Sequence, residues 1–159
     1  MNYDFNADEI LKMAEQIEKN GAAFYRECAG NVGDPAAVKL LQELAAMEDE
    51  HEKTFADIRS QLSAEERAST TFDPNGEAVL YLKALADTKV FFEKTIDTSN
   101  MEEILKEAIT AEKDSIVFYL GMKDLIPEDL GAYIVDEIIK EEMSHIRLLS
   151  RELVALKKG

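Results

Sequence analysis

The sequence has two histidines, and each stands three residues after a glutamate: Glu48 before His51 in MEDEHEKTF, and Glu142 before His145 in KEEMSHIRLL. Residues three apart share one face of an α-helix, so each carboxylate and its imidazole point the same way. Such a pair can ligate a divalent cation or make an ordinary contact on a solvated surface. Apolar neighbours at helical spacing decide between these. Leu44, Phe55 and Ile58 share the face of the first pair and Ile138 that of the second, which turns both pairs toward a core.

A spacing rule connects the two segments. Adding 94 to the residue number carries Glu48 to Glu142 and His51 to His145. The same step carries Glu18 to Glu112, Phe24-Tyr25 to Phe118-Tyr119, Leu11 to Leu105, Ala14 to Ala108, Leu40 to Ile134, Leu44 to Ile138 and Leu62 to Leu156. The chain therefore reads as two copies of one helical hairpin, about residues 6–62 and 100–156, packed about a pseudo-two-fold axis. Glu43 also lands on Glu137, but that pair stands one residue off the face of the others.

Glu18 lies in line with Leu11, Ala14 and Tyr25, and Glu112 with Leu105, Ala108 and Tyr119, so six ionisable side chains converge on one interior. Buried carboxylates must protonate, pair or bind metal, because a lone charge taken out of water is prohibitive. No lysine or arginine occupies a matching inward position. Two divalent cations would neutralise four glutamates and leave two neutral imidazoles to complete the ligand set. A donor set rich in carboxylate, with one imidazole per metal and no thiolate, favours iron or manganese over structural zinc. Glu48 and Glu142 are expected to bridge the metals, and Glu18 and Glu112 to terminate one each. Tyr25 and Tyr119, two turns along the face from a glutamate, are expected either to pack in the core with the hydroxyl on a buried carboxylate or to orient a ligand.

The elements that must position these residues are legible from period and punctuation. Asn6, with Glu9 three residues on, caps a first helix running to about Gly30. Asp34-Pro35 opens a second, to about Leu62, with an inward stripe of Leu40, Leu44, His51, Phe55, Ile58 and Leu62. Residues 63–76 are polar and turn-rich, and a shorter amphipathic helix follows over about 77–94. Ser99 is expected to cap a third long helix to about Ile126; Pro127 marks a corner, and the last helix spans about 128–156. With no strand signal, the expected fold is all-α: one domain, a four-helix bundle with a long crossover connection carrying a short extra helix.

With these residues in hand, the sequence resembles the ferritin-like superfamily, and most closely its rubrerythrin branch. Glu18 with Phe24-Tyr25, Glu48-x-x-His51, Glu112 with Phe118-Tyr119, and Glu142-x-x-His145 carry the resemblance, which spans about residues 6–156. It implies a non-haem di-iron centre ligated by Glu18, Glu48, His51, Glu112, Glu142 and His145; manganese or a mixed pair suits the same donors. It further implies reduction of hydrogen peroxide or dioxygen in oxidative-stress defence, with Tyr25, Tyr119 and the four glutamates as catalytic groups, in a homodimer or larger homo-oligomer. Two departures stand out. Full-length rubrerythrins carry a rubredoxin module, whereas this sequence has one cysteine, so a separate donor such as a rubredoxin is expected. Rubrerythrins also typically place a second carboxylate three residues from the third-helix glutamate. Here those positions are Ile109 and Ser115, which implies a symmetric six-ligand site rather than redox-linked ligand exchange.

Composition sets the outer bounds. Acidic residues number 33 against 18 basic ones, a net charge of -15 with no basic run, which argues against nucleic acid or an anionic membrane as partner. No stretch of 18 apolar residues and no signal-like N-terminus occur, and the lone Cys28 can form no internal disulfide, so a cytoplasmic setting is expected. Cys28 is assigned no role. Two other readings compete: a ferroxidase or iron-storage protein, and a bundle whose metals are structural.

Overall fold

The structure, a computed structural model, describes residues 6–68, 96–126 and 128–159. Helix α1 spans Ala7–Asn31 and α2 Pro35–Ser60; a short α3 follows at Ala64–Ala68. Helix α4 spans Met101–Lys123, and a π-helical turn at Glu128–Ala132 leads directly into α5, Tyr133–Lys158. The expected short helix over 77–94 and the corner at Pro127 lie outside the described residues. Among the described residues no helix is long and apolar enough to cross a membrane.

Side-chain caps set the helix starts. Asn6 Oδ1 accepts from the Glu9 amide at 2.9 Å, and Asp34 Oδ2 from the Ala37 amide at 3.0 Å with Pro35 in the first turn. The cap of α4 is Asn100, which accepts from the Glu103 amide at 3.2 Å, and not Ser99. Ser99 instead turns its hydroxyl and amide to Asp97, closing the turn before the helix. Ser63 and Glu66 form a reciprocal capping box on α3, each side chain accepting from the other's amide.

Helix α1 packs along α2, and α4 along α5, as two antiparallel hairpins. One apolar cluster joins the start of α1, the end of α2, the end of α4 and the start of α5, through Ile10, Leu11, Phe55, Ile58, Phe118, Met122, Val135 and Ile138 among others. The second joins the opposite ends, through Phe24, Cys28, Leu41, Leu44, Ile104, Leu105 and Leu149. Burial of this kind contributes about 25 cal/mol per Å² of apolar surface. Two frame positions differ from the sequence reading. Leu41 and Val135, not Leu40 and Ile134, are the fully buried pair, and Leu156 is exposed while Leu62 is buried. The band between the clusters is polar, and it holds the candidate site.

Candidate metal centre

Each of the four long helices contributes to the central band. Glu18 comes from α1, Glu48 and His51 from α2, Glu112 from α4, and Glu142 and His145 from α5, and all six are at most 5% exposed. The structure thus brings together, within one chain, all six glutamates and histidines expected to ligate metal. Ligand atoms fall into two overlapping groups, Glu18, Glu48, His51 and Glu142 in one and Glu48, Glu112, Glu142 and His145 in the other, each group's atoms within 4.8 Å of one another. Glu48 and Glu142 belong to both groups. The imidazole rings lie nearly parallel, 20° apart in plane and 5.9 Å between centroids.

How the polar atoms are partnered tests whether this band suits metal. His51 Nδ1 lies 2.8 Å from Glu142 Oε1 and 3.5 Å from Glu18 Oε2. His145 Nδ1 lies 3.3 Å from Glu142 Oε2 and 3.4 Å from Glu48 Oε1 and from Glu112 Oε1. Yet both Nδ1 atoms, both Glu142 oxygens, Glu18 Oε2 and Glu48 Oε1 lack hydrogen-bond geometry to any neighbour. Lone pairs close together but not aligned donor to acceptor are what a shared cation between them requires. Among the described residues no lysine or arginine is buried, so the cluster has no fixed cationic partner. Unpaired, these atoms would each forfeit about 1–3 kcal/mol; the donor set therefore fits divalent metal.

Tyrosines from the opposite hairpin hold the outer glutamates. Tyr25 of α1 donates to Glu112 Oε1 on α4 at 2.7 Å, and Tyr119 of α4 donates to Glu18 Oε1 on α1 at 2.5 Å. Both phenols are fully buried, and burial first, then the adjacent carboxylates, pushes them well above their ordinary values, so they stay protonated donors. Tyr119 also packs its ring 5.1 Å from Phe55, tying the site to the apolar cluster beside it.

The electrostatics are those of a cluster that must share protons when no cation is bound. Burial, then the Glu112 and Glu48 charges, raises the Glu142 carboxyl to about 8. Burial and Glu18 push Glu48 well up, and burial and Glu142 raise Glu18. Glu112 is also buried, but the proximity of the Glu142 carboxyl and the His145 imidazolium, and the hydrogen bond from Tyr25, outweigh that and hold it below the ordinary range. Burial disfavours both imidazoliums, yet Glu142 and Glu18 carry His51 to about 12, and Glu112, Glu142 and Glu48 do the same for His145.

Three neighbours escaped sequence reasoning. Gly21 lies beside Glu48, and a Cβ there would stand in van der Waals contact, 3.4 Å from its Oε2. The outer imidazole nitrogens meet Glu141, 2.5 Å from His51 Nε2, and Met47, 3.0 Å from His145 Nε2. Their signal was present: 47 and 141 each stand four residues before a histidine and are themselves 94 apart. Glu43 and Glu137 are outside the cluster and pair with Lys39 and Lys140. Cys28 is buried in the apolar cluster, its thiol pushed by burial to about 12.

Comparison with known proteins agrees with the geometry. A family model described as Rubrerythrin matches residues 9–153. A crystal structure of a Thermotoga maritima protein described as ferritin-like and diiron-carboxylate is similar at a TM-score of 0.70 and 26% sequence identity, covering 96% of this chain and 97% of that one. No curated protein matches the sequence.

Proposed function

Because the chain belongs to the rubrerythrin family, we propose that it is a non-haem di-iron oxidoreductase that reduces hydrogen peroxide or dioxygen, with electrons delivered by a separate donor protein. The observation that carries this reading is the doubled set of converging, unaligned ligand atoms that shares Glu48 and Glu142. In this reading Glu18, Glu48, His51, Glu112, Glu142 and His145 hold the metals. Two bound iron ions supply the two electrons and the Lewis acidity that, with two protons, convert hydrogen peroxide to two waters.

The chain's own residues prepare that chemistry. Glu48 and Glu142, common to both ligand groups, fix the separation of the two halves. Each imidazole turns Nδ1 inward, so its ring proton sits on Nε2 at the periphery when metal is bound. Tyr25 and Tyr119 each hold Oε1 of Glu112 and Glu18; the free Oε2 of Glu18 faces His51 Nδ1, while in Glu112 the held Oε1 itself faces His145 Nδ1. Their hydroxyl protons are held next to the reacting region, at Tyr25 Oη and Tyr119 Oη, within one hydrogen bond of a ligand carboxylate. The apolar clusters on either side exclude bulk water along the bundle axis.

The test is metal content per chain, followed by rapid mixing of anaerobically reduced protein with hydrogen peroxide and, separately, with air-saturated buffer. About two irons per chain and faster oxidation by peroxide support the peroxidase reading. Faster oxidation by air moves the assignment to an oxidase or ferroxidase, and a chain that takes up no iron refutes it.

A further inference from the structure

The 94-residue repeat is inexact beside the centre, and one mismatched pair meets the two imidazoles. Positions 47 and 141 are equivalent, since 141 minus 47 is 94, and each side chain reaches across to the other hairpin's imidazole. Pseudo-symmetry thus delivers one group to each outer nitrogen, yet the two groups differ. His51 Nε2 faces a carboxylate oxygen of Glu141 at 2.5 Å, whereas His145 Nε2 faces the thioether sulfur of Met47 at 3.0 Å. A carboxylate accepts a charge-assisted bond from Nε2–H, which fixes the tautomer, keeps the Nδ1 lone pair free for metal and makes it more basic. A thioether sulfur is only a weak acceptor and does little of this.

We infer that Glu141 is a positioning residue for His51 alone, and that the two halves of the centre are inequivalent: the Glu18–His51 half takes a divalent cation before the Glu112–His145 half. This rests on the di-metal reading of the site. Outer partners of ligating histidines typically change metal affinity about 10- to 100-fold. The Glu141 side chain is 61% exposed, so water competes for its carboxylate and the advantage falls at the low end, about tenfold.

The probe is Zn²⁺, which is diamagnetic and redox-silent, titrated into the metal-free full-length chain. Because the protein has two histidines, long-range proton–nitrogen spectra resolve two imidazoles, assigned with His51→Gln and His145→Gln. Repulsion between neighbouring cations separates the two binding steps in any such centre, so the decisive reading is which imidazole responds first. The expected result is His51 Nδ1 shifting with the first equivalent and His145 Nδ1 with the second. Glu141→Ala should weaken the first step about tenfold and erase the order, while Met47→Glu should strengthen the second. Both imidazoles moving together, His145 moving first, or an order unaffected by Glu141→Ala overturns the inference while two bound Zn²⁺ leave the di-metal reading standing. A chain that binds no Zn²⁺ overturns both.

Discussion

Stripped of metal, the centre has to keep protons inside, and the fold should weaken as pH rises through neutrality. The unfolded Glu142 carboxyl titrates near 4.5 and the folded one near 8, raised by burial and then by Glu112 and Glu48. Between those values the native state holds a proton that the unfolded chain has released. A group raised on folding gives its full stabilisation below the unfolded value and loses it as pH climbs through the folded one. One such proton lowers stability by about 1.4 kcal/mol per pH unit, so Glu142 alone removes ~3 kcal/mol between about pH 5.5 and 7.5. His51 and His145, carried to about 12 despite burial, act in the same direction above about pH 6.5, where the unfolded imidazole loses its proton. For a chain of this size ~3 kcal/mol corresponds to a fall in Tm of about 6–12 °C. Bound cations displace these protons, so affinity rises with pH and the gap between loaded and stripped Tm should widen. Calorimetry of chelator-stripped and Zn²⁺-saturated protein over this pH range measures both, and Glu142→Gln isolates the carboxyl's share by flattening the stripped slope. A stripped Tm that stays level, or an unchanged slope in Glu142→Gln, would falsify the native-state proton.

Other perturbations test the remaining contacts. Tyr25→Phe and Tyr119→Phe each leave a buried carboxylate oxygen without its donor and should cost about 1–3 kcal/mol in urea unfolding of the stripped protein; no loss in either would mean that glutamate finds its donor elsewhere. Gly131→Ala and Gly21→Ala should differ in sign. A Cβ at Gly131 would press to 3.1 and 3.2 Å from Ile58 and cost about 1–3 kcal/mol, while at Gly21 the nearest atom is 3.4 Å away and helix propensity gains up to about 1 kcal/mol. Equal Tm shifts for the two would contradict that packing. Glu48→Ala combined with Glu142→Ala removes the carboxylates common to both ligand groups and should take iron content to near zero; an iron content equal to the parent's would end the di-metal reading.

Much of this was legible because ligand chemistry and helical period reinforce each other. Glutamate three before histidine, repeated at an offset of 94, specified a face, a partner hairpin and a shared interior, and the all-α bundle followed from that. Adjacent residues of like character were harder to tell apart. Leu40 and Leu41 are both leucine, and a period of 3.6 tolerates either as the inward one until the facing helix chooses. Ser99 and Asn100 are both competent caps, and only the position of the Glu103 amide selects Asn100. The crossed tyrosine bonds were not legible, because they depend on how the hairpins face each other; the sequence placed Tyr25 two turns from Glu18, but its hydroxyl goes to Glu112.

Those crossed bonds have a consequence for assembly. Each hairpin carries a glutamate whose restraint belongs to the other hairpin, so neither half can finish its own polar interior. An isolated hairpin would present two carboxylates, an imidazole and a phenol on an otherwise apolar face, a surface unable to bury itself. Docking the halves and creating the centre are therefore one event. The chain is built as two covalently tethered hairpins, and the ligand cluster exists only where both are docked.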